Sequence, residues 1–431
     1  MIDIQLIREN PKLVQEKAKQ KGYEVDIQQL LGFDKERLEL LQQVEDLRRQ
    51  RNEMTAKTKG QKPSGEQVKA GRELKDKLAD LEHRLGSIEQ EFIVLLKEIP
   101  NMPLDDVPVG KSETENKVMA TVGDKPTFDF KPKTHVEIGL AKGWIDKERA
   151  AKVAGSRFVY IKGNLAKLEF ALLQFGIDRL TDESFIKKVV EENKLKTSTK
   201  PFTFVLPPAM AKTEVYEATA RLDKEETTYK LADDELWLNA SAEHTLVPMH
   251  MEETFESKQL PARYLGYTTA FRREAGSYGK DIEGIIRLHQ FNKLEMESFT
   301  TAEEGLIEHI LLTMLQRKLL EELEIPYQLI QKCTADIGGP NASGWDINCW
   351  MAGQNRYVET HTADYMTDFQ ARRLKTKYKT DKGKTGFVHT NDATAFAERP
   401  LIAIIENFQT REGDVAVPKA LQKYMGDKKV I

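Results

Sequence analysis

Three clusters of residues in this 431-residue chain have types and spacings that could do chemistry. In "FRREAGSYGKDIEGIIRLHQFNKLEM" (271–296), Arg272 and Arg273 precede a glycine-rich loop, and Arg287, His289, Phe291, Lys293 and Glu295 then fall at every second position. Alternate side chains of a strand share a face. A strand from Ile285 onward would therefore present cations, a ring and a carboxylate together, while Ile286, Leu288, Leu294 and Met296 pack on a core. If the loop closes a hairpin, Arg272 and Arg287 meet on adjacent strands, with guanidinium forks for phosphate oxygens beside a stacking surface for a base. In "YVETHTADYMTDFQARR" (357–373), Glu359 ends a strand-like run and Thr362 follows three residues later. A carboxylate near phosphate-binding arginines suits Mg²⁺, which takes one or two carboxylates plus phosphate oxygens. In "NDATAFAERPLIAIIENF" (391–408), Arg399 precedes a helix with Pro400 in its first turn and Leu401, Ile402, Ile404, Ile405 and Phe408 on its buried face. An arginine at the positive end of a helix dipole is poor for stability and good for holding polyphosphate. Each cluster alone is as readily an ordinary ion pair or a half-exposed strand; the signal is their joint occurrence.

Glycine-loop nucleotide sites fail on spacing. The "GKT" at Gly383–Thr385 would need glycine at position 378, which is Tyr378, and no GxGxxG follows an expected strand. Phosphate binding here rests on side-chain arginines over a sheet.

The elements that must position these residues follow from periodicity. Residues 74–99 carry Leu74, Leu78, Leu81, Leu85, Ile88, Phe92, Leu95 and Ile99 at alternating four- and three-residue steps, a heptad seam. A weaker seam runs Leu40, Val44, Leu47, Arg51, Met54, and "KTKGQKPSGEQ" between them breaks the helix at Gly60, Pro63 and Gly65. Two heptad helices and a turn predict an antiparallel coiled-coil hairpin. Residues 48–77 hold ten Lys and Arg against four acids, +6 on a chain whose net charge is −4. A basic tip suits a phosphate backbone, whose counterions it would release. Simple dimerisation or a solvated face is the plainer reading of the same segment. The proline-rich "IPNMPLDDVPVGKSETENK" (99–117) reads as a linker. Beyond it, short β-rich runs ("FTFVL", "LWLNA", "EGIIRLHQF") alternate with helices over 165–181 and 302–323, an α+β domain on a mostly antiparallel sheet. The expected division is an arm over 1–104, a linker over 105–130 and a catalytic domain over 131–431.

Bulk properties set the remaining bounds. The composition, 40% hydrophobic and 31% charged, is ordinary for a globular protein and argues against a generally basic nucleic-acid binder. Cys333 and Cys349 form no metal spacing, so a reduced, cytoplasmic interior is the expected home. The start, "MIDIQLIREN", lacks a signal-peptide pattern, and no apolar run of about 18 residues suggests a membrane span.

These stretches resemble the class II aminoacyl-tRNA synthetases, most closely the seryl-tRNA synthetase family. Residues 271–296 look like that family's motif 2, "AGSRFVYIKGNLAKLEFALLQF" (154–175) its motif 1 region, and "NDATAFAERPLIAIIENFQTREG" (391–413) its motif 3. "DFQARR" (368–373) matches a further stretch, and the basic coiled-coil arm matches the element that grips the tRNA variable arm. The resemblance covers essentially the whole chain, in order.

It implies a homodimeric, Mg²⁺-dependent ligase that joins L-serine to tRNA(Ser), with tRNA(Sec) a second candidate, through a seryl-adenylate made from ATP. Arg272 and Arg399 would be the catalytic cations. Arg272 would contact the ATP α-phosphate and the serine carboxylate, Glu274 the adenine, and Phe291 would stack on it. Arg287 and Arg399 would hold the outer phosphates. Glu359 and Thr362 would face Mg²⁺, with Arg273, Thr360 and His361 completing the ATP site. Ser241, Ala242 and Glu243 stand at the family's Thr-x-Glu element, and Glu295 would take the serine ammonium or hydroxyl alongside Asn391. Ala393 occupies a position where the family usually has Ser or Thr; Thr394 replaces that hydroxyl if the strand is shifted, and otherwise one serine contact is missing. Arg48, Arg49, Arg51, Lys57, Lys59, Lys62, Lys69 and Arg72 would contact tRNA. A synthetase-like enzyme loading a carrier protein would have no use for the basic arm, and a dead scaffold would have none for this density of charge.

Overall fold

Two long helices, α1 (Ile27–Thr58) and α2 (Gly65–Glu98), make up most of the first of two units into which the chain divides, Met1–Met102 and Pro103–Ile431. The computed structural model describes all residues except 59–63, 223–226, 275–283 and 381. Leu40, Val44 and Leu47 of α1 pack with Leu78, Leu81 and Leu85 of α2, as the heptads require. Farther along α2 the seam departs from the expected register: Phe92 and Leu96 are buried, whereas Ile88 and Leu95 are only half-buried. A straight helix turns once per 3.6 residues, so its contact face drifts by about 20° per heptad against a strict 3.5 repeat. Gly65, expected to break the helix, is instead the first residue of α2. Ser64 caps it through a reciprocal capping box with Gln67. Gly60 and Pro63 lie outside the described residues.

The second unit is built on an eight-stranded sheet of β1 (Lys117–Val122), β2 (Thr203–Val205), β3 (Ala262–Phe271), β4 (Gln290–Thr300), β5 (Tyr327–Gln331), β6 (Ser343–Met351), β7 (Arg356–Thr367) and β8 (His389–Phe396). Its order is β1-β5-β6-β7-β8-β4-β3-β2, antiparallel throughout except for the β2–β3 edge pair. β1 falls within the stretch read as a linker. Those residues are an edge of the sheet, paired with β5, rather than a tether.

One face of the sheet is covered by helices α3 (Gly163–Leu180), α5 (Gly305–Glu322) and α6 (Glu398–Asn407), while the short helix α4 (Glu243–Leu246) packs against β3 and β4. Leu294, Met296, Ala393 and Phe396 join Leu165, Leu172, Leu312, Leu315 and Leu401 in one core. Burying side chains of this size stabilises by about 1.5–3 kcal/mol each. The approach is close at Gly176 of α3, where a Cβ would lie 2.8 Å from the Phe396 ring. α6 is buried on nearly all sides from Pro400 to Asn407, not on one stripe: it packs on β6 and α3, and its Glu406 accepts from His135 N at 3.0 Å. The uncovered face of β4, β8, β7 and β6 carries the polar residues.

Candidate active site

Register decides which residues share that open face. Glu295 pairs with Gly266 and Thr394, and Glu297 with Asp392, which pairs with Asp364. Lys293, Glu295, Glu297, Asp392, Thr394 and Asp364 therefore line one side. Ala393 faces the other, inside the core, as does Asn391, whose Nδ2 donates to Gly305 O at 3.2 Å. Neither reaches the site, which corrects the expectation for both; the Thr394 side chain is the one on the open face, in register with Glu295.

A bulge does the same work on β7. Asp346 pairs with Thr362 and Asn348 with Glu359, leaving Thr360 as the extra residue. Two residues three apart thus share the open face, which strict alternation would forbid. Thr360 is buried, its hydroxyl donating to Ile347 O at 3.1 Å. His361 is turned into the core, its ring 5.9 Å from that of Phe396, and burial pushes its imidazole down to about 3. It is not a nucleotide ligand.

The 271–296 segment also differs from its sequence reading. β3 and β4 form the expected hairpin, with Arg272 N donating to His289 O at 2.9 Å, but β4 starts only at Gln290. From 285 to 289 the chain is irregular, and Ile285, on the expected polar face, is buried. Arg287 reaches the cleft from this turn, donating to Glu274 at 3.0 Å. Glu274 itself has φ +52°, a left-handed conformation that few non-glycine residues adopt. Arg273 is exposed and set 6.0 Å from the Tyr229 ring, away from Arg272.

The arginine-lined end of the cleft, which would suit a nucleotide, includes Arg272, Glu274, Ile286, Arg287, Phe291, Glu359 and Arg399. The Arg272 guanidinium lies 5.1 Å from the centre of the Phe291 ring, and Arg399 Nη1 donates to Glu359 Oε1 at 3.0 Å and to Glu359 O at 2.9 Å. Arg399 sits in the first turn of α6, not before it, and Ala397 supplies no side-chain cap there. Glu359 and Thr362 offer oxygen donors on one face, beside Asp346 of the next strand, and this donor set fits a hard divalent cation. Lys332, unanticipated, donates to Thr362 Oγ1 at 3.3 Å and pairs with Asp364 at 3.2 Å.

The carboxylate-lined end, which would suit an amino acid, is lined by Arg221, Ser241, Glu243, His244, Asp364 and Asp392, while Arg272, Glu274, Arg287, Lys293 and Thr362 border both ends. Ser241 precedes the short helix α4 (Glu243–Leu246). This turn presses onto β3 at Gly266, where a Cβ would meet Leu246 Cδ1 at 2.7 Å and Ala242 Cβ at 3.0 Å. Ala242 is thus a packing residue, fully buried, and does not face the substrate space. Ser241 Oγ donates to Glu295 Oε2 at 3.2 Å and accepts from Lys293 Nζ at 3.2 Å, while Lys293 is also ion-paired with Glu295. Arg221 pairs with Glu243 at 2.5 Å and with Asp392 at 3.0 Å.

Burial raises the carboxyls here, and neighbours decide how far. Glu243 is held well below the usual range because Arg221 and His244 outweigh its burial. Glu295 is raised by burial against the pull of Lys293. Glu297 and Asp392 stand well above the usual range through burial and the nearby Glu243 charge. Arg221, Asp392, Lys332 and Glu297 were missed in the sequence. Only the alternation with Thr394 could have flagged Asp392; nothing local marks Arg221.

In the helical arm, Arg51, Lys57, Lys69 and Arg72 are exposed. Arg48 pairs with Glu82 of the facing helix at 2.8 Å, and Arg49 with Asp46 at 3.0 Å. Lys59 and Lys62 lie outside the described residues.

Comparison with known proteins gives a consistent result. Residues 1–103 match the model of the seryl-tRNA synthetase N-terminal domain, and residues 227–408 that of the tRNA synthetase class II core domain (G, H, P, S and T). Serine–tRNA ligases of Thermodesulfovibrio yellowstonii and Petrotoga mobilis are 38% and 39% identical, each alignment covering 99% of both chains. The fold is similar to the crystal structure of seryl-tRNA synthetase from Pyrococcus horikoshii complexed with ATP (TM-score 0.88, 34% identity, 100% and 99% of the two chains). It is also similar to that of the cytoplasmic serine–tRNA ligase from Naegleria fowleri in complex with AMP (TM-score 0.85, 25% identity, 100% and 98%).

Proposed function

The chain belongs to the seryl-tRNA synthetase family, and we infer that it is a serine–tRNA ligase: it activates L-serine with ATP to seryl-adenylate and pyrophosphate, then transfers serine to the 3′ end of tRNA(Ser). The observation that carries this reading is the position of Arg272, shared by an arginine-lined and a carboxylate-lined end of one cleft. A guanidinium there can hold the serine carboxylate against the α-phosphate, placing nucleophile and electrophile in line.

No protein nucleophile is needed. A serine carboxylate oxygen attacks the α-phosphorus and the bond to the β-phosphate breaks. Arg272, Arg287 and Arg399 neutralise the charge that develops on the phosphate oxygens. Phe291 offers the adenine a stacking surface. The tRNA terminal ribose hydroxyl then displaces AMP from the carbonyl carbon. Glu359 and Thr362 would hold Mg²⁺, whose charge would offset that of the outer phosphates. Glu243 and Glu295 would take the serine ammonium, and Ser241 or Thr394 the hydroxyl. A buried site built to hydrogen-bond a hydroxyl rejects alanine, because its own groups would be left unpaired.

The exposed basic residues Arg51, Lys57, Lys69 and Arg72 would track the tRNA backbone, with Arg48 and Arg49 released from weak surface pairs. The enzyme would work as a homodimer; exposed Leu140, Val153, Tyr160 and Phe170, in and beside the motif 1-like stretch, support self-association. A cytoplasmic location accords with two buried free thiols and, among the described residues, no helix long and apolar enough to cross a membrane.

The test is ATP–pyrophosphate exchange with each of the twenty amino acids, followed by charging of tRNA(Ser) and tRNA(Sec) transcripts. Exchange with serine alone is the expected result, and exchange that ignores serine would overturn the assignment.

A further inference from the structure

Three carboxylates, Glu243, Glu295 and Asp392, each place an oxygen within 4.8 Å of the other two, and all three are buried. They come from three separate elements, and two cations meet them. Lys293 serves Glu295. Arg221 serves the other two at once, 2.5 Å from Glu243 and 3.0 Å from Asp392, with its own side chain 18% exposed. One buried oxygen of the set, Glu295 Oε1, has no hydrogen-bond partner among the described residues.

We propose that Arg221 is a positioning residue for the amino-acid substrate: by bridging Glu243 on α4 to Asp392 on β8, it fixes the carboxylate wall against which the substrate ammonium is read. The inference rests on the adenylate-forming reading above and extends it to a residue that reading does not use. Two buried carboxylates side by side repel: Asp392 is already held well above the usual range, and without the shared cation Glu243 too must take a proton or turn away. Either change removes a partner from the ammonium. A planar fork with several donors can satisfy both at once, which a point charge does less well. Arg221 does not line the nucleotide end, so its effect is confined to one substrate.

The test is amino-acid-dependent ATP–pyrophosphate exchange by the full chain carrying Arg221→Met, Arg221→Lys or Asp392→Asn. Arg221→Met should raise the KM for the amino acid by about thirtyfold, since unpairing buried charge is costly. The KM for ATP should change by less than about twofold, the mark of an interaction made with one substrate only. Arg221→Lys should recover only part of the loss, because a point charge cannot span both carboxylates, and Asp392→Asn should cost less than Arg221→Met. An unchanged amino-acid KM, or equal rises in both KM values, would overturn the proposal. If Arg221→Met does not fold, Asp392→Asn decides: a selective rise in amino-acid KM upholds the bridge and no rise removes it. Exchange by the unsubstituted enzyme with an amino acid other than serine overturns the serine assignment alone, and the same comparison is then made with that amino acid.

Discussion

The two ends of the cleft solve opposite problems with similar residues. At the nucleotide end, Arg287, Arg399 and Glu359 stay partly exposed, and their ion pairs can exchange for phosphate at little cost. At the amino-acid end, Glu243, Glu295 and Asp392 are buried, and each must be neutralised by a fixed neighbour or by a proton. The first end recognises a ligand that brings its own large charge. The second recognises a small zwitterion and must hold its own charge ready. Burial thus converts ordinary carboxylates into a selective site, whereas exposure keeps the arginines general.

Substitutions that strike one end or both would break or sharpen this contrast. The largest effect is expected from Arg272→Ala, which borders both ends. Exchange should fall by about a thousandfold with the fold retained, and near-normal turnover would remove Arg272 from the mechanism. Arg399→Ala should cost roughly a hundredfold in exchange, with the KM for serine little changed; a matching rise in that KM would erase the division. Thr394 lines the cleft beside Lys293 and pairs in register with Glu295; Thr394→Ala should raise the KM for serine by about tenfold, and Ala393→Ser should not restore it but lower the melting temperature by burying a hydroxyl in the core. In the arm, joint replacement of Lys57, Lys69 and Arg72 by alanine should weaken tRNA charging by about tenfold at moderate salt and leave exchange intact. Loss of exchange as well would contradict a role limited to tRNA.

The smallest effect on activity belongs to His361. Its KM for ATP should stay within about twofold in His361→Leu, because the ring faces the core. Its stability signature has a definite sign. Folding lowers this imidazole from the ordinary 6.5 to about 3, so its contribution is present above pH 6.5 and lost as pH falls toward 3. Thermal melts at pH 7 and pH 5 should therefore differ less in His361→Leu than in the unsubstituted protein; an equal difference would place the acid sensitivity elsewhere.

How legible each part was follows from how local its cause is. The hairpin arm was readable because heptad spacing is a local property of one helix and its partner. The β3–β4 hairpin and Arg272, Arg287, Phe291 and Arg399 were readable because charge and a ring on a strand or helix start have few plain uses. Of the residues misplaced by reading, Asn391, Ala393 and His361 lie where one residue of register decides the face. The bulge at Thr360 cannot be seen in "ETHTADY", since it depends on how β6 pairs with β7.

The amino-acid sequence by itself determined the two-helix arm, the mostly antiparallel sheet and the cations of the nucleotide end, because periodicity and charge act within a few residues. Only the tertiary structure decided which side of β7 and β8 faces the cleft, and that Arg221, 171 residues from Asp392, is the cation that meets its carboxyl group. The physical reason is that strand register and burial are set by partners distant in the chain. A one-residue shift turns a ligand into a core residue, and burial makes a carboxylate's charge depend on whichever cation the fold brings to it.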